Sequence, residues 1–423
     1  MEVPKVSEGR RWQLGLGVTL LAVALVVVAA ALGGTSSRNH AAASQKTYPK
    51  GGYGEVYKAS PAILKHTLFN AKLLPAHRAA RDIALAAFNR AGRKVNLNLA
   101  LKCWKNDGCK TGTGGKLTVA YIEPFGENVY RHISKMEFIL QALTYKSIGK
   151  IIYRSAHSDL NQALADFRAM IAQHVSAIVT YPDFADAELP VFKEATKAHI
   201  PVTTYAWGYV SGPGKNYTTV VGENVCNLGK AYARIMNKYV KSGDIAFMGG
   251  FPGNPLSAGW QKCEQPRLNP SIHVVANEPT NWDASKVQQV VSAILAAHPN
   301  IKGWSYEYGL GMAQGAFAAY KAAGKPFNAV LTLRTDDVGM GCKARALNNP
   351  KLKVWYYTAG NSQIRVALTA AMMKLKGAKI PPTIVFPIQL QNEAKRTECV
   401  KGYPQEASAT SLVPLKLLHR MYP

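Results

Sequence analysis

Acidic residues are scarce in this chain. Its 423 residues hold 25 Asp and Glu against 51 Lys and Arg, a formal charge of +26. Such an excess often marks nucleic-acid binding, but the first forty residues point to another compartment, and no nucleic-acid partner is expected. Cysteine is absent before Cys103, which excludes a lipid-anchored export signal, since that signal needs a Cys at its cleavage point. The ten histidines show no H-E-x-x-H or comparable spacing, so no metal or other cofactor is expected. No G-x-S-x-G elbow occurs, because Ser257 lies in NPLSAG without the first glycine. TGTGGKL resembles a phosphate loop in composition only, with Lys110 where the first glycine belongs and Leu117 where Ser or Thr would hold magnesium. Catalysis is therefore not expected.

What is present begins with Arg10, Arg11 and Trp12, followed by the uncharged run LGLGVTLLAVALVVVAAAL, residues 14–32. The run is long enough to span a bilayer, and the charge before it turns the N-terminus inward, so the remainder is exported to the periplasm or the outer face of the cytoplasmic membrane. Residues 1–43 read as a signal peptide or membrane anchor; Ala41-Ala42-Ala43 offers a cleavage site, and cleavage and retention both stay open. Residues 44–116 carry 14 Lys or Arg and 3 Asp or Glu. An apolar rhythm from Leu74 to Val95 predicts one amphipathic helix there. This basic extension reads either as a cationic collar beside an anionic membrane or wall polymer, or as a solvated linker.

Six cysteines in an exported chain suggest disulfides. Cys103 and Cys109 enclose only WKNDG and are expected to pair. Cys226, Cys263, Cys342 and Cys399 allow three pairings, of which 226–263 and 342–399 are favoured because each joins neighbouring segments. Closing the 226–263 loop would stabilise by about 4 kcal/mol on the chain-entropy estimate.

From Leu117 onward, short apolar runs alternate with helical patterns: LTVAYI, KIIYR, SAIVTY, IPVTTY, TTVV, DIAFMG, HVVANE, AVLTL, LKVWYY and TIVFPI. This βαβα order forces parallel sheets with helices on both faces, and about ten strands divide most economically into two doubly wound α/β lobes. Two copies of one tetrapeptide stand at strand-to-helix corners, Gly126-Glu127-Asn128-Val129 and Gly222-Glu223-Asn224-Val225. Ligands of open parallel sheets sit at such corners. Asn128 and Asn224 are candidate N-caps, and Glu127 and Glu223 are candidate hydrogen-bond acceptors for a polar ligand.

In its motifs and their order the chain resembles the type I periplasmic solute-binding proteins of the ribose-like sugar family of ABC importers. LTVAYIEPFGENVYRHI, SDLNQALADFRAMIAQHVSAIVTYPD, AHIPVTTY, DIAFMGGFPGNPLSAGW, TNWDASKVQQVVSAILAAHPNIKGW, GLGMAQGAFAAYKAAGKP and LRTDDVG follow in the family's sequence over about residues 117–415. The resemblance implies two lobes joined by a three-strand hinge, 117–220 with 359–384 and 221–358 with 385–423. It also implies a monomer that closes on one small molecule and docks on an ABC permease in the membrane. Phe125 would stack on a sugar ring, Asp336 matches the family's strand-end Asp, and Asn361 joins the ligand set. The chain departs from the family where Ala206-Trp207 replaces an Asp-Arg pair, Trp260 replaces an Arg, and Tyr306-Glu307 replaces Asn-Asp. Rings in place of bidentate donors imply a bulkier or less polar ligand than a pentose, such as an oligosaccharide, a glycoside or an aromatic compound. Core packing is the alternative for Trp207, Trp260 and Tyr306. A membrane-anchored receptor presenting ligand occupancy to a sensor is the alternative to transport.

Overall fold

The computed structural model describes residues 58–70, 72, 77–126, 128–205, 210–335, 337–357, 360–386, 390–392 and 399–423. Glu127, Trp207, Asp336, the apolar run 14–32 and the cleavage site 41–43 lie outside the described residues. Among the described residues no helix is long and apolar enough to cross a membrane.

Thirteen strands are described: β1 (Gly108–Lys110), β2 (Leu117–Glu123), β3 (Ile148–Ser155), β4 (Ala177–Thr180), β5 (Val202–Tyr205), β6 (Thr219–Gly222), β7 (Gly243–Gly249), β8 (Ile272–Pro279), β9 (Gly303–Ser305), β10 (Val330–Leu333), β11 (Lys353–Tyr357), β12 (Thr383–Val385) and β13 (Leu390–Asn392). They form two sheets, ordered β1-β3-β2-β4-β5-β6-β12 and β13-β11-β10-β9-β7-β8. Every pairing is parallel except β1 on β3 and β13 on β11. Without the edge additions, the sheets share one order, in which the first strand lies between the second and the third: β3-β2-β4 and β8-β7-β9. The strand order reverses at β2 and at β7, and a crevice opens at the carboxyl end of each. Helix starts are pinned there by side chains, since Asn128, Asp159, Asn224, Asn254 and Asp283 each accept an N–H bond from the first turn of the helix that follows.

The chain passes from one sheet to the other after β6, after β11 and after β12. It then returns once more. The backbone N–H groups of Val338 and Gly339 in the second lobe donate to the carbonyls of Ala407 and Gln405 at 2.8 Å. A few residues on, Ser411 Oγ and Leu412 N donate to Glu137 Oε1 of the first lobe at 2.9 and 2.6 Å. The final helix, Leu415–Met421, buries Leu417 and Leu418 in the same core as Tyr121, Phe138 and Val366. The stretch 385–423, expected wholly in the second lobe, is therefore shared, because its apolar end matches the first core.

Residues 58–116 of the basic extension pack on the first lobe and are not a solvated linker. The helix expected over Leu74–Val95 spans Arg78–Ala91. It sends Ile83, Ala84, Ala87 and Phe88 into the first core, the helix Leu97–Lys105 adds Ala100 and Leu101, and β1 extends the first sheet. The cations occupy the outer faces of these elements. The disulfides are Cys103–Cys109, Cys226–Cys263 and Cys342–Cys399, the favoured pairing.

Candidate functional site

The first half of the site is built on the corner after β2. Gly126 has φ +75°, and a Cβ there would lie 2.0 Å from Ser155 Oγ, so the turn requires glycine. The turn delivers the helix Val129–Ala142, whose cap Asn128 Oδ1 accepts from Arg131 N at 3.1 Å. A cation in a first helical turn opposes the helix dipole, yet Arg131 is only 2% exposed. Its Nη1 donates to Glu123 Oε1 at 2.9 Å, its Nη2 donates to Asp183 Oδ1 at 2.8 Å, and its guanidinium lies 3.4 Å from the centre of the Tyr181 ring. Burial disfavours that charge, but Asp183 and Glu123 more than offset it and raise the Arg131 pKa. Glu123 also accepts from the Tyr121 and Tyr205 hydroxyls. Burial lifts the Asp183 pKa to about 7, and its Oδ2 has no hydrogen-bond partner among the described residues.

The second half follows β7, β9 and β10. Glu307, just past β9, is buried and accepts from Ser257 Oγ at 2.6 Å, from Trp282 Nε1 at 3.1 Å and from Trp260 Nε1. Burial raises its pKa. Trp282 owes its position to two consecutive left-handed residues, Asn281 at φ +52° and Trp282 at φ +51°. Bonds from Thr280 N and Asn281 N to the Gly250 carbonyl, both 3.0 Å, hold this turn. A Cβ on Gly250 would come within 2.3 Å of the indole, so glycine is what lets the ring lie down against the strand end. Backbone strain in a bulky residue is concentrated at functional sites. Arg334, after β10, donates from Nε to Glu223, whose other oxygen accepts from Gln363 Nε2 at 2.9 Å.

The two halves meet around one small, partly open space. Asn128, Tyr130, Arg131 and Tyr181 line it from the first lobe; Trp282, Glu307, Tyr308 and Arg334 line it from the second. At its margin, Phe125 reaches across to Trp282, ring centres 5.1 Å apart, and to Phe251 at 6.3 Å, while Phe184 approaches Phe251 at 6.4 Å. Its volume among the described residues is about 20 Å³, whereas pockets that hold small molecules run to roughly 300–1,000 Å³. As it stands, the space lined by the described residues is too small for such a ligand.

The residues singled out from sequence fall into separate roles. Asn128 and Glu307 line the space between the lobes, and Phe125 closes its margin. Asn224 caps the helix Val225–Tyr239, accepting from Asn227 N at 3.2 Å. Glu223 is fully buried, and both of its oxygens are engaged at the lobe crossing. Asn361 is also fully buried; its Nδ2 donates to the Tyr130 carbonyl at 2.8 Å and to Ser134 Oγ at 2.9 Å, tying the second crossing to the first lobe. Trp260 and Tyr306, expected to face the ligand, are fully buried in the second core. Trp260 packs edge-on against Tyr232 and Phe247, and Tyr306 shares a 2.6 Å bond with Thr280. Trp260 thus acts on the site through Glu307. Sequence reasoning missed Arg131, Asp183, Tyr181, Trp282 and Arg334. One signal was available: an arginine in the first turn of a helix is electrostatically misplaced unless acids await it.

Residues 119–379 match the model of the periplasmic binding protein domain family. The chain is 25% identical over 244 residues to the ribose import binding protein RbsB of Bacillus subtilis (strain 168), covering 58% of this chain and 77% of that one. It is 28% identical over 234 residues to the galactofuranose-binding protein YtfQ of Escherichia coli (strain K12), covering 52% and 71%. Among solved structures, it is similar to an ABC transporter periplasmic solute-binding protein from Actinobacillus succinogenes 130z with bound D-allose, at 22% identity and a TM-score of 0.57, covering 66% of this chain and 98% of that one.

Proposed function

The chain belongs to the periplasmic binding protein domain family, and from that premise we propose that it is the extracytoplasmic solute-binding component of an ABC importer. It closes on one sugar or glycoside between its lobes and hands it, as a monomer, to a membrane permease. The observation that carries this reading is the space lined from both lobes by rings and ionic groups together, Tyr181 and Arg131 facing Trp282 and Glu307. Rings take the apolar face of a pyranose, and carboxylates and guanidinium groups take its hydroxyls. Glu307 is the acceptor for those hydroxyls, and Trp282 is the stacking surface. A ligand that touches both lobes stabilises the closed arrangement by its differential contacts. No residue in the site is given a catalytic step.

Thermal shift and calorimetry over pentoses, hexoses, glycosides and aromatic acids test the reading, since a ligand of the native state raises the melting temperature. A hexose or glycoside is expected to bind, and Trp282→Ala to weaken it by about tenfold. If aromatic acids bind and no saccharide does, the sugar assignment fails. Capture of a sensor rather than a permease by the loaded protein would favour the receptor alternative.

A further inference from the structure

A second pocket, of about 300 Å³, lies where the two ends of the chain meet the first lobe. Its apolar walls are Val95, Leu97, Leu140 and Leu412, and its cations are Arg93, Lys94 and Arg365. The volume falls within the range of small-molecule sites. Arg93 and Lys94 are exposed at the rim, while Arg365 is only 2% exposed. The guanidinium of Arg365 is fixed before any ligand arrives: Nε donates to Glu137 and Nη1 donates to Gln141 Oε1 at 3.2 Å. Glu137 is itself fully committed, taking Ser411 Oγ and Leu412 N on its other oxygen.

Glu137 neutralises Arg365, but the segments that supply the rim carry no acid. From Ile83 to Asn106 there is no Asp or Glu, while Arg90, Arg93, Lys94, Lys102 and Lys105 are all cationic, and no acid follows Glu406 to the end of the chain. An apolar chamber with a cationic rim favours a ligand with a buried hydrocarbon body and one negative head: the body contributes by leaving water, and the head by charge-assisted hydrogen bonds to guanidinium and ammonium. A free saccharide offers neither. We propose that this pocket is a second ligand site, for an amphiphilic monoanion of the medium-chain carboxylate class. The body lies on Val95, Leu97, Leu140 and Leu412, and the carboxylate is met by Arg93 and Lys94. Two walls of the pocket, Arg93–Leu97 and Leu412–Pro414, lie outside the family-matched span 119–379.

The test is calorimetric titration of the full chain with octanoate and, as its uncharged match, 1-octanol. Octanoate is expected to bind one to one and at least tenfold more tightly than octanol. The double variant Arg93→Glu/Lys94→Glu, made at exposed positions, is expected to weaken octanoate at least tenfold with an unchanged melting temperature. Leu97→Trp is expected to abolish octanoate binding by filling the chamber, with saccharide binding intact. Equal affinity for octanoate and octanol would overturn the proposal. So would full octanoate affinity in the double variant, or displacement of octanoate by a saccharide bound in the cleft.

Discussion

The two G-E-N-V corners share four letters and a cap, and then do different work. At both, the Asn side chain accepts from an amide of the first helical turn, at 3.1 Å for Asn128 and 3.2 Å for Asn224. Beyond the cap they part. The first corner turns through a left-handed glycine and delivers Arg131 to the space between the lobes. The second continues β6 and buries Glu223 between Arg334, 111 residues away, and Gln363, 140 residues away. One corner lines the space between the lobes; the other fastens the crossing between the sheets. A cap is decided by neighbours three residues apart, whereas the task of a corner is decided by what the fold brings to it.

Breaking that contrast should show effects of graded size. Glu223→Ala removes the carboxylate that receives Arg334 and Gln363 in a fully buried site, and is expected to cost about 3–5 kcal/mol in chemical denaturation; a loss below about 1 kcal/mol would mean the second corner does not fasten the crossing. Gly126→Ala forces a left-handed φ on alanine and drives its Cβ against Ser155 Oγ, an expected cost of about 1–3 kcal/mol. Adding Ser155→Ala should relieve part of it, because the obstacle is a side chain. Asn128→Ala and Asn224→Ala are each expected to cost about 1 kcal/mol, and a large inequality between them would deny that the two caps are equivalent.

A further effect is one of pH. Burial raises the Asp183 pKa to about 7, while in the unfolded chain it lies near 3.9. Between those values the native state keeps a proton that the unfolded state has lost, so the contribution of Asp183 to stability declines as pH rises through that window. The melting temperature should fall from pH 5 to pH 8, with a shallower slope in Asp183→Asn; an unchanged slope would remove Asp183 from the account.

Much of this architecture was legible because its signals are local. Strands such as LTVAYIE and DIAFMG are buried on both faces and read as unbroken apolar runs, and Asn caps announce the helices between them. β9 escaped notice because three residues, Gly303–Ser305, carry no period. The packing of residues 58–116 on the first lobe was less legible because many cations surround the apolar face of Ile83, Ala84, Ala87 and Phe88. The site was less legible than the fold. Trp260 and Trp282 are equally plausible stacking rings on paper. Their fates depend on two left-handed residues at 281 and 282 and on the pairing of Trp260 with Glu307, which only the assembled sheet creates.

The first lobe is finished by both ends of the chain. Arg420 donates to Asn98, 322 positions away, so the helices Arg78–Ala91 and Leu97–Lys105 must wait for nearly the whole polypeptide before their apolar faces are covered. Such distant pairing makes maturation slow and leaves early segments sticky. A ribosome-bound fragment lacking its last dozen residues would therefore keep an unfinished lobe, and loss of either the helices at 78–105 or the final helix would injure the same half of the molecule.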